Sequence, residues 1–339
     1  MEIKEILKKL TALSGVSGNE FPASHAAAEL LGEYAEKVSV DSFGNVVGYI
    51  EAAKPGTGTL MLDAHIDRVG MIVTFIDEKG FLCVGNCGSP DVKTFLAQSV
   101  TVHGRKDIPG VICTLPPHVS KDKGKAPEIS DIRIDVGLSK TQAEQIIAPG
   151  DRITLNSRFK ELSDNVVSAP ALDDRSGVCT ILAALDKLGA EKPHYNVVVS
   201  FTAGEEVNGS GAKQTAFRIQ PDKAIAVDVS FGATPDGDPH CTAPLGSGAM
   251  IGFSARLDKK MSQELKTLAV NKHIPFTSEV MPNATGTNAD SIGISGRGVR
   301  CATVSLPIRY MHTAVEAMDI RDIESAADLI CEYMRCADD

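Results

Sequence analysis

Helical periodicity marks both ends of this chain and is missing from its middle, and that break constrains the fold more than any single motif. Ile3, Ile6, Leu7, Leu10 and Leu13 recur at helical spacing. Gly15-Val16-Ser17-Gly18-Asn19 interrupts them, and an Ala-rich stretch then predicts a helix through about Glu36. Val38 to Ile50 alternates around Gly44-Asn45, the pattern of a hairpin, and Leu60-Met61-Leu62 reads as a short buried strand. From about Gly70 to Asn165 short Val/Ile/Thr runs alternate with Gly and Pro turns instead. Within that block Pro116 to Pro127 is polar and lysine-rich and predicts a poorly ordered loop. After Asn165 helices and strands alternate again. Val178, Ile181, Leu182, Leu185 and Leu188 mark one helix, Met261, Leu265, Leu268 and Ala269 another, and Ile320, Ile323, Ala327, Ile330 and Met334 the last. Asn196 to Thr202, Ala224 to Val227 and Cys301 to Leu306 read as buried strands. The simplest account is one α/β domain, residues 1–69 plus 166–339, with a small β domain, 70–165, inserted between its halves.

Each buried strand runs into a side chain that can bind metal. Leu60-Met61-Leu62 leads to His65 and Asp67, the strand to Thr202 leads to Glu205 and Glu206, the strand to Val227 leads to Asp228, and the strand to Leu306 leads to His312. Asp173 and Asp174 open the helix that contains Val178. Ligands of open α/β sheets bind outside the carboxyl ends of the strands. Five segments therefore deliver imidazole and carboxylate to one edge, a donor set that suits zinc or a similar divalent ion in a hydrolytic site. Singly each signal is weak, since Asp173 and Asp174 also fit a helix cap and Asp67 a turn. The combination, every member at a strand end or helix start, is specific. Asp67 stands two residues beyond His65, on the same face if the strand continues. Glu205 and Glu206 point apart if their backbone is extended.

Charge and composition remove several function classes. Lys+Arg total 34 against 44 Asp+Glu, a formal net charge of -10, which argues against nucleic acid or an anionic membrane surface as partner. No apolar run approaches the ~18 residues of a membrane span. Met1 to Glu5 is a charged amphipathic start rather than a signal peptide, and the eight cysteines form no Cys-x-x-Cys pair. Free thiols in a cytoplasmic protein are expected, and Cys83 and Cys87 lack the second pair a metal knuckle needs.

The motifs Gly15 to Glu20, Asp41 to Asn45, Ala64-His65-Ile66-Asp67, Ala171 to Arg175, Glu205-Glu206-Val207, Val227-Asp228-Val229 and Arg309 to Glu316 are long and ordered along nearly the whole chain. In them the chain resembles the dinuclear metallo-aminopeptidases that include tetrahedral, glutamyl and deblocking aminopeptidases, metallopeptidase family 42. The resemblance implies a three-layer α/β/α metallopeptidase domain with an inserted small β-barrel-like domain used for assembly. It implies two divalent ions per subunit, zinc or cobalt, with His65 and Asp228 on one, Glu206 and His312 on the other and Asp173 bridging both. Glu205 is implied as general base, Asp67 as the residue that orients His65, and the Asp173–Asp174 peptide as cis. The implied activity is removal of N-terminal residues from peptides by a metal-activated water, in a dodecamer built from dimers.

Three places depart from the usual family pattern. Arg68 stands where an acidic residue commonly follows the Asp, Asn288 stands where Asp is usual, and Phe231 to Pro235 varies the segment after Asp228. These are expected near the substrate, where they bear on specificity. The nearest alternative is an amidohydrolase or deacylase with the same dinuclear site. A glycosidase could use a carboxylate pair such as Glu205-Glu206. However, the chain has no Trp and only 5% aromatic residues to stack on a sugar, and the two His would be idle. A non-catalytic scaffold is disfavoured because no ligand is missing.

Overall fold

The computed structural model describes residues 1–113, 127–235 and 237–336. Four parallel strands form its centre: Asn196–Thr202, Thr59–His65, Lys223–Phe231 and Arg300–Arg309, side by side in that order. Almost every residue in them is buried, as expected of a sheet covered on both faces. Alternation along each strand divides the side chains between two cores. Leu60, Leu62, Ile225, Val227 and Val304 join the core that holds Leu7, Leu182 and Ile330. Met61, Ala224, Ala226 and Cys301 join the core formed with Ala212, Ala216 and Ile292. Helices Ile3–Thr11, Leu172–Leu188 and Ile320–Arg335 thus cover one face, and Ser210–Ile219 with Asn288–Gly293 cover the other, giving three layers.

The hairpin Lys37–Val40 and Val46–Ile50 extends the sheet antiparallel to Asn196–Thr202. Its buried Asn45 is more than a turn residue, because Asn45 Oδ1 accepts the Ala203 N–H at 2.9 Å. The Ala-rich helix ends at Leu31, short of Glu36. Gly32 caps it, and the chain turns so that Glu36 N–H reaches the Tyr49 carbonyl, the first bond of the hairpin ladder.

The middle of the chain closes on itself. Strands Gly70–Ile76, Leu82–Cys87, Arg133–Asp135, Asp107–Cys113, Ser99–His103 and Arg152–Leu155 form a closed barrel in that order around the circle. Met71, Leu82, Phe95, Val102, Ile134 and Ile153 fill a core of its own, and closure leaves no free strand edge. The last barrel strand ends at Leu155, and Lys160–Glu161 already pairs with Val166–Ala169 in the large sheet, so the return crossover lies earlier than residue 165. The Pro116–Pro127 segment, apart from Pro127, lies outside the described residues. At the junction of the two units a Cβ on Gly70 would sit 2.5 Å from Val16 Cγ2 and 2.8 Å from the Ile153 carbonyl oxygen, so only glycine lets the strands approach. Arg152 Nε donates across the same junction to the Ser17 carbonyl at 2.8 Å.

The large core should dominate stability. Leu182→Ala, at a fully buried helix position, should cost about 2–5 kcal/mol. Leu162→Ala, at a site 60% exposed, should stay within about 0.5 kcal/mol. Chemical denaturation of the two variants beside the parent chain checks the contrast.

Candidate metal centre

The carboxyl ends of the parallel strands deliver the side chains that the strand pattern singled out. Ala226 pairs with Asp63, so His65 and Asp228, two residues further on along each strand, face the same side. His65 Nε2 lies 3.7 Å from Asp228 Oδ1 and 3.0 Å from Asp173 Oδ1. The other oxygen of Asp173 lies 3.3 Å from His312 Nε2, which is 3.4 Å from Glu206 Oε2. Two groups able to hold a metal result, His65–Asp173–Asp228 and Asp173–Glu206–His312, with Asp173 common to both. Asp173 can face both ways because it sits at the start of its helix with φ -80° and ψ 105°, outside helical geometry. The Asp173–Asp174 peptide is cis.

Backbone groups hold this constellation from behind. His65 Nδ1 lies 3.0 Å from the Asp67 carbonyl oxygen, and His312 Nδ1 lies 2.9 Å from the Ser89 carbonyl oxygen. A carbonyl only accepts, so each Nδ1 carries the proton and each Nε2 is turned toward the carboxylates. His312 has φ +63°, a left-handed conformation that a non-glycine residue adopts at a cost, and its N–H is received by Glu316 Oε1 at 3.0 Å. Glu316 Oε2 accepts the Asp173 N–H at 3.2 Å, so one buried carboxyl group steadies both residues. Asp174 accepts the N–H groups of His65 and Gly177, steadying His65 while it starts the helix.

Asp67 works differently from a simple imidazole partner. The strand stops at His65, and the Asp67 carboxylate stands 3.5 Å from His65 Nδ1, beyond its own carbonyl. That carboxylate instead accepts the N–H groups of Glu205 at 3.0 Å and Glu206 at 3.2 Å, and the Ser17 hydroxyl at 2.6 Å. Glu205 and Glu206 are not on extended backbone. They open the short helix Glu205–Asn208 after Gly204, whose φ of +73° makes the sharp exit from the strand. Both still line the same cleft, of about 890 Å³, together with His65, Asp173, Asp228 and His312.

Ser89, Glu316 and Ser17 carry no metal-ligand signature in sequence, and Ser89 comes from the middle block. Two of the departures do not reach this cleft. Asn288 is buried, donating to Asp63 Oδ2 at 2.8 Å and Thr202 Oγ1 at 2.9 Å, and an Asp there would set two carboxylates against each other. Arg68 lines a separate cleft of about 900 Å³ with Arg158 and Thr313. Phe231 does line the cleft of the His–carboxylate group.

The residues fit a cation. Glu206 Oε1 is buried and without a partner, and both Nε2 atoms face carboxylate oxygens across gaps that need a proton or a metal between them. Burial and the Asp173 charge push Glu206 well up, and burial with neighbouring carboxylates does the same to Asp228. Burial, with Asp173 and Asp67 nearby, raises Glu205 to about 7. Burial and Asp173 raise Glu316 to about 8, and burial raises Asp63 to about 6. Burial opposes ionisation of Asp173 as well, but hydrogen bonds from His312 and His65 outweigh it and hold that carboxyl low.

These shifts set the pH dependence of the metal-free protein. An acid whose folded pKa is raised binds more protons folded than unfolded, so stability falls as pH rises between the two values. With unfolded values near 4.5 and folded values of about 7 for Glu205 and about 8 for Glu316, the loss spans pH 4.5 to 8. The melting temperature of chelator-treated protein should therefore fall from pH 5 to pH 8. Added zinc should raise it more at pH 8 than at pH 5, and thermal melts at both pH values check this.

Known proteins are similar to this chain in sequence and in fold. Residues 44–329 match the M42 glutamyl aminopeptidase family. A lysyl aminopeptidase of Pyrococcus furiosus is 32% identical over 96% of this chain and 94% of its own. The structure of an aminopeptidase from the archaeon Desulfurococcus kamchatkensis superposes with a TM-score of 0.93 and 36% identity, covering 99% of this chain and 95% of that one. The TET1 peptidase of Pyrococcus horikoshii, described as assembling into a tetrahedron or a large octahedral shell, superposes with a TM-score of 0.87 and 27% identity over 98% of this chain and 99% of its own. By sequence along most of its length and by its metal-capable group of His and carboxylate residues, the chain belongs to the M42 glutamyl aminopeptidase family, whose members are metal-dependent aminopeptidases.

Proposed function

We propose that this aminopeptidase works with two divalent ions, zinc or cobalt, held as one pair by His65, Asp173 and Asp228 and by Asp173, Glu206 and His312. The observation that carries the reading is the pair of Asp173 oxygens, one 3.0 Å from His65 and the other 3.3 Å from His312. Such a pair of ions polarises a carbonyl and makes a water nucleophilic near neutral pH. The chain's own contribution is proton handling and orientation. Glu205, raised to about 7 by burial and neighbouring charge, is suited both to accept a proton near neutral pH and to pass it to the leaving amine. Asp67 holds Glu205 and Glu206 by their N–H groups, so the base and the ligand keep different directions from one short helix. An amidohydrolase would need the same residues, but the family and its named relatives favour peptide amino termini as substrate. The family description names glutamyl and the P. furiosus relative lysyl activity, so the preferred residue is not set by kinship.

The proposed division of the chain is a catalytic unit, residues 1–69 with 166–339, and an inserted assembly unit, residues 70–165, of which Lys160–Glu161 already pairs into the large sheet, in a dodecamer built from dimers in the cytoplasm. The closed barrel with its separate core supports an independent unit, and the shells described for the P. horikoshii relative support assembly. Among the described residues no helix is long and apolar enough to cross a membrane.

Two side-by-side variants test the chemistry. Glu205→Gln should retain metal and lose about 10²–10⁴ in kcat, the usual worth of general acid–base catalysis. Glu206→Gln should lose metal, with partial recovery of activity in excess zinc or cobalt. Loss of metal from the first, or full occupancy without turnover in the second, reverses the two roles. The assembly role predicts that Phe75→Asp with Val111→Asp, both on outward barrel positions 53% and 51% exposed, lowers the mass seen by light scattering. An unchanged mass removes that barrel face from the interface.

A further inference from the structure

The cleft over the metal-capable group is acidic on its far wall as well. Among the described residues lining it there is no lysine and no arginine. Two carboxylates line it beyond those of the centre, Glu279 and Asp290. Asp290 is already engaged: it accepts the Thr285 N–H at 3.0 Å, and Arg256 Nη1 lies 3.5 Å away. Glu279 has no cation beside it among the described residues. On strand Phe276–Met281 it shares a side with Thr277 and Met281, the less exposed one, while Ser278 and Val280 face solvent. Glu279 Oε1 accepts the Ser230 hydroxyl, with the Ser305 hydroxyl nearby, and Glu279 Oε2 is buried without a hydrogen-bond partner. A buried carboxyl in this position is neutralised either by a proton or by an incoming cation, and burial raises its affinity for the proton.

Its distance from the chemistry is set by the sheet. Ser230 follows Asp228 by two residues on strand Lys223–Phe231, so both project from the same face about 7 Å apart. The Glu279 carboxyl, held by Ser230, therefore stands away from the metal-capable group by a span that a lysine's four-carbon stem can bridge. An acidic side chain brought to the same place would meet Glu279 and Asp290 with no lysine or arginine among the described residues lining the cleft to receive it.

We propose that Glu279 selects a basic amino-terminal residue, its carboxylate receiving the substrate's lysine ammonium or arginine guanidinium while the scissile carbonyl lies at the metal-capable group. The inference rests on the aminopeptidase reading and deepens it, and it runs against the glutamyl preference in the family description. Initial rates on the p-nitroanilides of lysine, arginine, norleucine, leucine and glutamate, with metal-loaded enzyme, test it. Norleucine has the lysine stem without the ammonium. The ratio of kcat/KM for lysine over norleucine should be about 10- to 100-fold, the worth of one hydrogen bond to a charged group, and glutamate should be the poorest substrate. In Glu279→Gln that ratio should fall at least tenfold, and Glu279→Asp, which keeps the charge, should retain part of it. A wild-type ratio of one or less, or a ratio unmoved by Glu279→Gln, overturns the proposal even if leucine is cleaved well and the aminopeptidase reading stands. Failure to cleave any of the aminoacyl anilides overturns both readings. Should Glu279→Gln lose metal or melt early, the wild-type ratio decides.

Discussion

Carboxylates withdrawn from water repel one another and draw up protons, and this protein gathers six of them around Asp173. Asp67, Asp174, Glu205, Glu206, Asp228 and Glu316 are all largely buried, and Asp173 itself stands between two imidazoles. Such a cluster is unfavourable alone, since a buried unpaired charge costs several kcal/mol. Local backbone dipoles offset part of that cost. Asp67 receives three donors, Glu316 receives the N–H groups of Asp173 and His312, and Asp174 those of His65 and Gly177. What remains uncompensated, the unpartnered Glu206 oxygen above all, is the affinity for a cation. The folded chain is thereby strained toward the metal it needs.

The sheet makes such crowding feasible. Parallel strands end at one edge, and the residues just past their ends are close together yet anchored by ladders that are fully buried. His65 and Asp228 are aligned by register alone. Asp173 and His312 are not, and both positions call for unusual backbone, non-helical φ/ψ at the first and a left-handed residue at the second. Rigidity comes from the three-layer packing around the strands, and the unusual conformations sit where the ligands are aimed. The barrel, although it has its own core, touches the same site through the Ser89 carbonyl on His312, so a unit proposed for assembly also orients one imidazole.

One helix turn explains how neighbours acquire different tasks. Glu205 and Glu206 leave Gly204 on a tight helical start, where successive side chains diverge by about 100°. Their N–H groups are pinned by the two oxygens of a single carboxylate, Asp67. The alternating pattern of an extended strand would separate them too, but it would leave those N–H groups to a neighbouring strand. The helix frees them for Asp67, which lies 138 residues away from Glu205 in sequence.

Much of this was legible in the chain itself. Short continuous apolar runs located the central strands, the 3.6 period located the long helices, and its loss after Gly70 located the barrel block. These patterns report burial, which depends on neighbours close in sequence. The candidate ligands were legible for the same reason, since His65, Asp173, Glu206, Asp228 and His312 follow directly on those elements. What the sequence could not carry was which long-range partner each polar atom finds. The Ser89 carbonyl, the two-handed Glu316 and the turn of Asp67 toward Glu205 join segments more than a hundred residues apart, except where Glu316 grips His312 four residues back. The departures illustrate it best. Asn288 and Arg68 stand in motifs of the site, yet tertiary packing turns Asn288 into the buried Asp63 network and buries Arg68 behind Glu206 and Glu316, at the edge of another cleft. Hydrogen-bond partners are chosen by three-dimensional proximity, and only the packed sheet and barrel decide that.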